Sequence, residues 1–418
     1  MKKILAKLVA FSLVASALLI TGGCSNETTN DSDSIAENNS VNDTINEPAT
    51  EIGNDEESNI DSDNDVDSDT ENQDEEINSD DTITVIDHAG NQVTVPTEIN
   101  RIVIGNILPL PSVLTVFFDN AEKIVGMSEG SMKAAENGLL GELYPEILNA
   151  ETDFIDGSTI NIEEVIALNP DVFFYSASEP QVGEQLEEAG IPAVAISVNK
   201  WDYNTIETLN NWIDLLSEIF PENNKAEVCR NYSNDVYHMI QEKIENIPDD
   251  ERENVFFLFQ YTDSSIATSG KQFFGQFWAD AIGAKNVAEE LTTDNSVTVS
   301  MEQIYEWNPS LVFITNFTSA QPDDIYHNTI GTYDWSAIQA SENQRVYKMP
   351  LGMYRSYTPG VDTPITLMWL AKTAYPDIFT DINITQETKN YYQEVFNITL
   401  TDEQAEKIFT PVSEASVY

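Results

Sequence analysis

Cysteine is nearly absent: Cys24 and Cys229 are the two in 418 residues. With so few thiols a disulfide framework is excluded, and the fold has to rest on its apolar core. Histidine is almost as scarce. His88, His238 and His327 lie far apart and no two stand at i, i+4, which argues against a histidine-built zinc site and for structural roles. Basic residues are few, 19 Lys and Arg against 72 Asp and Glu, and a formal net charge of −53 argues against nucleic acid. Beyond residue 24 no apolar run reaches the ~20 residues that a membrane span needs. P-loop and dinucleotide fingerprints are missing too.

The first segment that is present is a leader. Lys2, Lys3 and Lys7 precede the apolar run LVAFSLVASALLI, and Thr21-Gly22-Gly23-Cys24 closes it. A basic start, a short apolar core and a small-residue exit make an export signal over 1–24. The exit resembles a bacterial lipobox, with Thr21 where leucine is usual. That likeness implies lipidation of Cys24 and a place on the outer face of the bacterial cytoplasmic membrane, held by the lipid anchor alone. Residues 25–82 carry Asp, Glu, Asn, Ser and Thr with no Lys or Arg. Such a segment buries too little to offset ordering entropy, so it reads as a disordered acidic tether with ends roughly 40–45 Å apart. The run starting at Asp61 is not a calcium loop, since Val66 and Asn72 replace the required glycine and glutamate.

The folded part repeats itself once. Residues 161–174 read NIEEVIALNPDVFF and 300–313 read SMEQIYEWNPSLVF, pairing Glu163 with Glu302 and Asn169-Pro170 with Asn308-Pro309. Each copy reads as a capped helix, a break and a buried strand, with Asn161/Glu164 and Ser300/Gln303 as capping boxes. A unit recurring once at this interval points to two similar α/β lobes with a ligand between them. Apolar strands at 101–105, 123–127, 171–175 and 193–198 alternate with helices and predict a mainly parallel sheet behind a hairpin at 83–95. A helical pattern from 225 to 247 follows, placing Val228, Tyr232, Val236, Met239, Ile240 and Ile244 on one face. Strands at 254–260, 311–315 and 345–349 make the second sheet. The expected organisation is a lobe over 83–220, a linker helix over 221–248 and a lobe over 249–418. Cys229 falls within the helix as a small buried apolar residue. Ligands in such sheets sit beyond the carboxyl ends of the strands. The cleft loops should therefore bring Asn106, Ser128, Ser131, Lys133, Tyr175, Ser176, Tyr261, Phe317, Tyr354, Arg355 and Tyr357 to the ligand.

These residues together resemble the substrate-binding lipoproteins of ABC importers for iron complexes and vitamin B12. The likeness covers 83–418 and rests on the hairpin before Arg101-Ile102-Val103, both repeated units, and the stretches 268–291, 335–350 and 368–379. It implies two Rossmann-like lobes joined by one long helix, a monomer, no catalysis and no cofactor of its own. It further implies that Glu163 and Glu302 dock the protein onto arginines of a permease dimer that works with an ATPase. The ligand it implies is a metal chelate, namely an iron–siderophore complex, haem or a corrinoid. Arg101 and Arg345 read as scaffold, which leaves Arg355, with Lys133 and Lys271 as helpers, for the cleft. So few cations disfavour a tri-anionic catecholate and keep open a less charged chelate, a corrinoid, or a small oxyanion such as molybdate or tungstate.

A rival from another class rests on Gly126-Met127-Ser128-Glu129-Gly130, which fits the G-x-S-x-G of a serine esterase elbow. That reading needs a histidine beside Ser128, and the nearest candidates fall in the linker helix and the other lobe. A surface adhesin needs an exposed apolar or repeat-built face, which the sequence does not show.

Overall fold

The structure is a computed structural model that describes residues 81–157, 159–221 and 225–416. The leader with Cys24 and nearly all of the acidic segment lie outside the described residues. Asp81 and Thr82 do not: Thr82–Ile86 is already a strand, paired antiparallel with Gln92–Pro96, so the hairpin starts one residue before the expected boundary. Gly90 turns it with φ of 91°, a backbone state that costs glycine little. Asp87 ties the hairpin to the body. Its carboxylate accepts the N–H groups of Ala89 at 3.0 Å and Asn91 at 2.8 Å, and that of Ala195 at 3.1 Å. His88 accepts the Ser197 N–H at Nδ1 (3.2 Å), and burial pushes its pKa down to about 4. It is a neutral structural histidine.

The first sheet is parallel throughout, in the order Ile124–Gly126, Ile102–Ile104, Val172–Ser176, Ala193–Ile196. The second orders Ser296–Val299, Ile266–Ser269, Asn254–Tyr261, Leu311–Ile314 and Val346–Lys348, with Lys285–Asn286 also pairing Asn254–Tyr261. Its first two pairings are antiparallel and the rest parallel. Each repeated unit forms the helix, break and strand expected of it, with Asn161 and Ser300 as N-caps, but neither capping box is completed: the Gln303 amide donates to Glu306 at 3.4 Å instead. Helices Ile162–Leu168 and Met301–Trp307 end at Asn169 and Asn308, with φ of 46° and 41°. This left-handed state suits Asn better than any branched residue, and the following proline cannot extend the helix. Each unit then feeds a central strand of its sheet.

Strand alternation divides the core. Ile102, Ile104, Phe174, Phe257, Leu311 and Phe313 face one shared cluster that spans both sheets. Val103, Phe173 and Tyr175 face a separate cluster on the far side of the first sheet, and Phe256, Leu258, Val312 and Ile314 do the same on the second. The helix Lys225–Ile244 runs through the shared cluster, about 30 Å long. It contacts the helices Leu110–Phe118 and Thr205–Ile219 on one side and Phe274–Ala281, Thr363–Ala374 and Ile384–Phe396 on the other. Its buried face is Cys229, Ser233, Val236, Ile240 and Ile244, not one containing Val228, which is 40% exposed. Burial raises the Cys229 thiol to about 11, so it is inert apolar packing. Among the described residues no helix is long and apolar enough to cross a membrane.

Candidate functional site

At the carboxyl ends of the first sheet's strands lies a cavity of about 390 Å³. Asn106 and Leu108 follow the strand Ile102–Ile104, and Ser128, Glu129 and Gly130 follow Ile124–Gly126; Ile155 and Gly157 complete the named lining. Ser128 caps the helix Glu129–Asn137, accepting the Ser131 N–H at 3.2 Å, and its Oγ lies 2.9 Å from that of Ser131. The Ser131 hydroxyl donates to the Leu108 carbonyl at 2.7 Å, which fixes one cavity loop to the other. The Asn106 amide donates to the Glu179 carboxylate at 3.3 Å. The cavity mouth is therefore a set of small, mutually bonded polar groups beside a helix start.

Leu108 also joins the cavity to the second half. It packs on the cluster of Ala134, Leu351, Tyr354 and Ala415. Arg355 is 1% exposed and donates from Nε and Nη2 to the Ala415 carbonyl at 3.2 and 3.1 Å. Its guanidinium lies 5.2 Å from the Phe317 ring centre and 5.8 Å from that of Tyr354. Arg355 is thus linked to the cavity lining through Tyr354 and Leu108. Near it is Lys348, whose Nζ donates to the carbonyls of Thr315, Thr318 and Ala320 at 3.0, 2.5 and 2.9 Å. Burial first, and then the like charge of Arg355, bring the Lys348 pKa down to about 7.

Of the residues expected here, Asn106, Ser128 and Ser131 gather at the cavity, and Phe317, Tyr354 and Arg355 gather with one another, linked to it through Leu108. The others are elsewhere. Tyr175 points to the far face of the first sheet, where its hydroxyl meets the Asn91 amide at 3.4 Å. Its strand neighbour Ser176 is turned to Ser178 at 3.2 Å. Tyr261 lies in the second sheet's outer cluster, donating to Ile330 O at 3.1 Å and accepting from Trp335 at 3.0 Å. Tyr357 is fully buried among Phe257, Phe259, Phe273 and Phe274, with its hydroxyl on Ser269. Lys133 is a half-exposed side chain near Glu136 at 4.0 Å. Arg101 donates to the Leu168 carbonyl at 2.9 Å and Arg345 pairs with Glu253 at 2.7 Å, both scaffold roles as read. Sequence reasoning missed Lys348 and Glu179. A lysine ending an otherwise apolar strand, and an acid one residue past a cleft loop, were the available signals.

Ser128 is not assembled as a nucleophile. Its hydroxyl is engaged with Ser131, and among the described residues no histidine bonds to it; His88 meets Ser197 and Asn211, and His327 meets Asp323. No cluster of three metal-ligating side chains occurs among the described residues.

The carboxylates of the repeat are both exposed. Asn161 accepts the N–H groups of Glu163 (3.1 Å) and Glu164 (3.4 Å), and Ser300 accepts that of Gln303 (3.3 Å). Glu302 reaches back as well: its own backbone N–H and the Ser300 hydroxyl hold its carboxyl below the usual range.

The family model described as periplasmic binding protein matches residues 130–351. A periplasmic solute binding protein from Veillonella parvula has the same fold at a TM-score of 0.70 and 32% identity, over 79% of this chain and 97% of that one. The molybdate-binding protein MolA of Haemophilus influenzae is 24% identical over 77% of this chain and 93% of its own length. CeuE of Helicobacter pylori, solved as a Ni-His complex, shares the fold at 21% identity and a TM-score of 0.62, over 78% of this chain and 99% of that one.

Proposed function

The chain belongs to the periplasmic binding protein family, a solute carrier of ABC transporters and not an enzyme, and from that premise we propose that its solute is a small oxyanion. The observation that carries this reading is where the aromatics went. A flat ring needs exposed aromatic faces at the cavity wall, and Tyr175, Tyr261 and Tyr357 are core instead. The cavity is lined by Asn106, Ser128, Glu129 and Gly130 at the head of a nine-residue helix, together with Leu108, Ile155 and Gly157. Backbone N–H groups at a helix start suit a desolvated oxyanion. Arg355, linked to the cavity lining through Tyr354 and Leu108, is the cation this reading assigns to the anion. The likeness to a molybdate-binding protein supports the same class.

A metal chelate is the second reading, favoured by the Phe317–Arg355–Tyr354 stack. Elemental analysis and native mass spectrometry of the protein as purified separate the two. Molybdenum or tungsten in near-stoichiometric amount supports the oxyanion; iron with a co-purified chelate, haem or a corrinoid overturns it.

The reading includes docking to a permease dimer through Glu163 and Glu302, two exposed carboxylates at equivalent corners of the repeat. It also includes acylation at Cys24, checked by fatty-acid labelling that Cys24→Ala abolishes. Uptake of the solute by cells carrying the Glu163→Ala, Glu302→Ala double variant should fall while solute affinity holds. Normal uptake by a folded double variant removes these residues from docking.

A further inference from the structure

Six large apolar side chains are strongly exposed among the described residues, and two of them, Ile166 at 52% and Tyr305 at 41%, occupy the same place in the two repeated units. The interval of 139 residues that separates Glu163 from Glu302 also separates Ile166 from Tyr305. A single exposed apolar residue needs no explanation. The coincidence of two at matched positions does, because each unit buries the preceding residue completely, Val165 in one and Ile304 in the other. In each helix the carboxylate and the apolar residue stand three apart and so share one outward face. The Tyr305 hydroxyl donates to the Asp334 carbonyl at 2.6 Å, which holds its ring in place. Neither Glu163 nor Glu302 is in an ion pair among the described residues.

Resting on the docking reading above, we propose that Ile166 and Tyr305 are apolar contacts of the same interface. Their partner is a membrane permease dimer that presents two equivalent sites, each a basic group bordered by an apolar depression. Two matched patches on one chain suit two copies of one partner subunit. Acidic residues beside the apolar ones require a cationic rim opposite, and that excludes a second copy of this strongly acidic chain. The apolar residue supplies what an exposed ion pair lacks, a contact that excludes water and does not weaken with salt.

The test uses the full-length protein with a photo-crosslinking amino acid at 166 or at 305 in cells, and at Leu148 and Val412 as exposed apolar controls. Positions 166 and 305 should both crosslink to one integral-membrane transporter subunit, and the controls should not. Binding of variants to that permease in nanodiscs follows. Ile166→Ser and Tyr305→Ser should each weaken binding about tenfold with the salt dependence unchanged, while Tyr305→Phe binds as wild type. Glu163→Gln and Glu302→Gln should instead flatten the salt dependence. Full affinity in both serine variants, with the glutamine variants impaired, overturns the apolar contact and leaves the docking reading standing. Full affinity in the glutamine variants overturns docking itself. Crosslinks between copies of this chain, to two different proteins, or to nothing also overturn the proposal.

Discussion

The backbone N–H of Met353 donates to the buried Oδ2 of Asp362 at 2.6 Å, while the other carboxylate oxygen takes the Tyr392 hydroxyl at 2.7 Å. One carboxylate therefore pins the loop that carries Tyr354 and Arg355 to the helices of the second half. Burial raises its pKa to about 6, against the bonds from Tyr392 and Met353 that lower it. A raised acid pKa makes protonation favour the folded state. This contribution is complete below the unfolded value near 4 and is lost as pH climbs through about 6. Urea melts from pH 4 to 7 should show wild type losing up to about 3 kcal/mol relative to Asp362→Asn over that range. A flat difference contradicts the burial of an ionisable Asp362.

Lys348 gives a proton signature of anion binding. Burial brings its pKa down to about 7, so part of the amine is deprotonated at pH 8. An anion arriving near Arg355 favours the charged form, so binding at pH 8 should take up a fraction of a proton. Calorimetry with molybdate in buffers of different ionisation enthalpy reads that uptake directly. It should vanish in Lys348→Met, which will also be less stable by at least 2–3 kcal/mol, since three carbonyls lose their donor.

Gly138 sits where the halves touch. The next residue, Leu139, donates its N–H to the Gly352 carbonyl at 2.9 Å. A Cβ on Gly138 would come within 2.7 Å of the Ala134 carbonyl oxygen and 2.8 Å of that of Gly352, both backbone atoms that cannot swing aside. Gly138→Ala should cost about 1–3 kcal/mol by overpacking and weaken solute binding with it, read by melting and titration.

Much of this was legible beforehand for definite reasons. The Asn-Pro breaks after Leu168 and Trp307, the parallel strands and the long helix all follow from local chemistry that tertiary packing did not override. The strand Ile266–Ser269 was not legible, because Thr268 and Ser269 look like a turn until the Thr268 hydroxyl finds the Phe257 carbonyl at 2.8 Å. Tyr175 was misplaced because alternation tells which residues share a face but not which face meets the cleft. Phe173 and Tyr175 share theirs, and it is the far one. Lys348 and Asp362 were hidden because a single charge reads as solvated until its buried partners are seen.

The hairpin sets where the chain can be shortened. Thr82 pairs with Pro96, and the Asp81 carbonyl accepts the Thr97 N–H at 2.9 Å. Removing residues 1–80 should leave melting temperature and solute affinity unchanged. Removing 1–91 discards Asp87 and its bond to Ala195, and should lower the melting temperature by several degrees. Differential scanning calorimetry on both truncations checks the boundary.

On the function proposed above, a small oxyanion binds at the cavity and depends on the buried Arg355 charge. Calorimetric titration of molybdate into solute-free wild type, Arg355→Met, Arg355→Lys and Lys133→Ala tests it most directly. Wild type should bind; the Met variant should lose at least tenfold, the Lys variant less than the Met variant, and Lys133→Ala about twofold or less. Absence of molybdate and tungstate binding by folded wild type, or an Arg355→Met protein that melts and binds as wild type does, contradicts the claim.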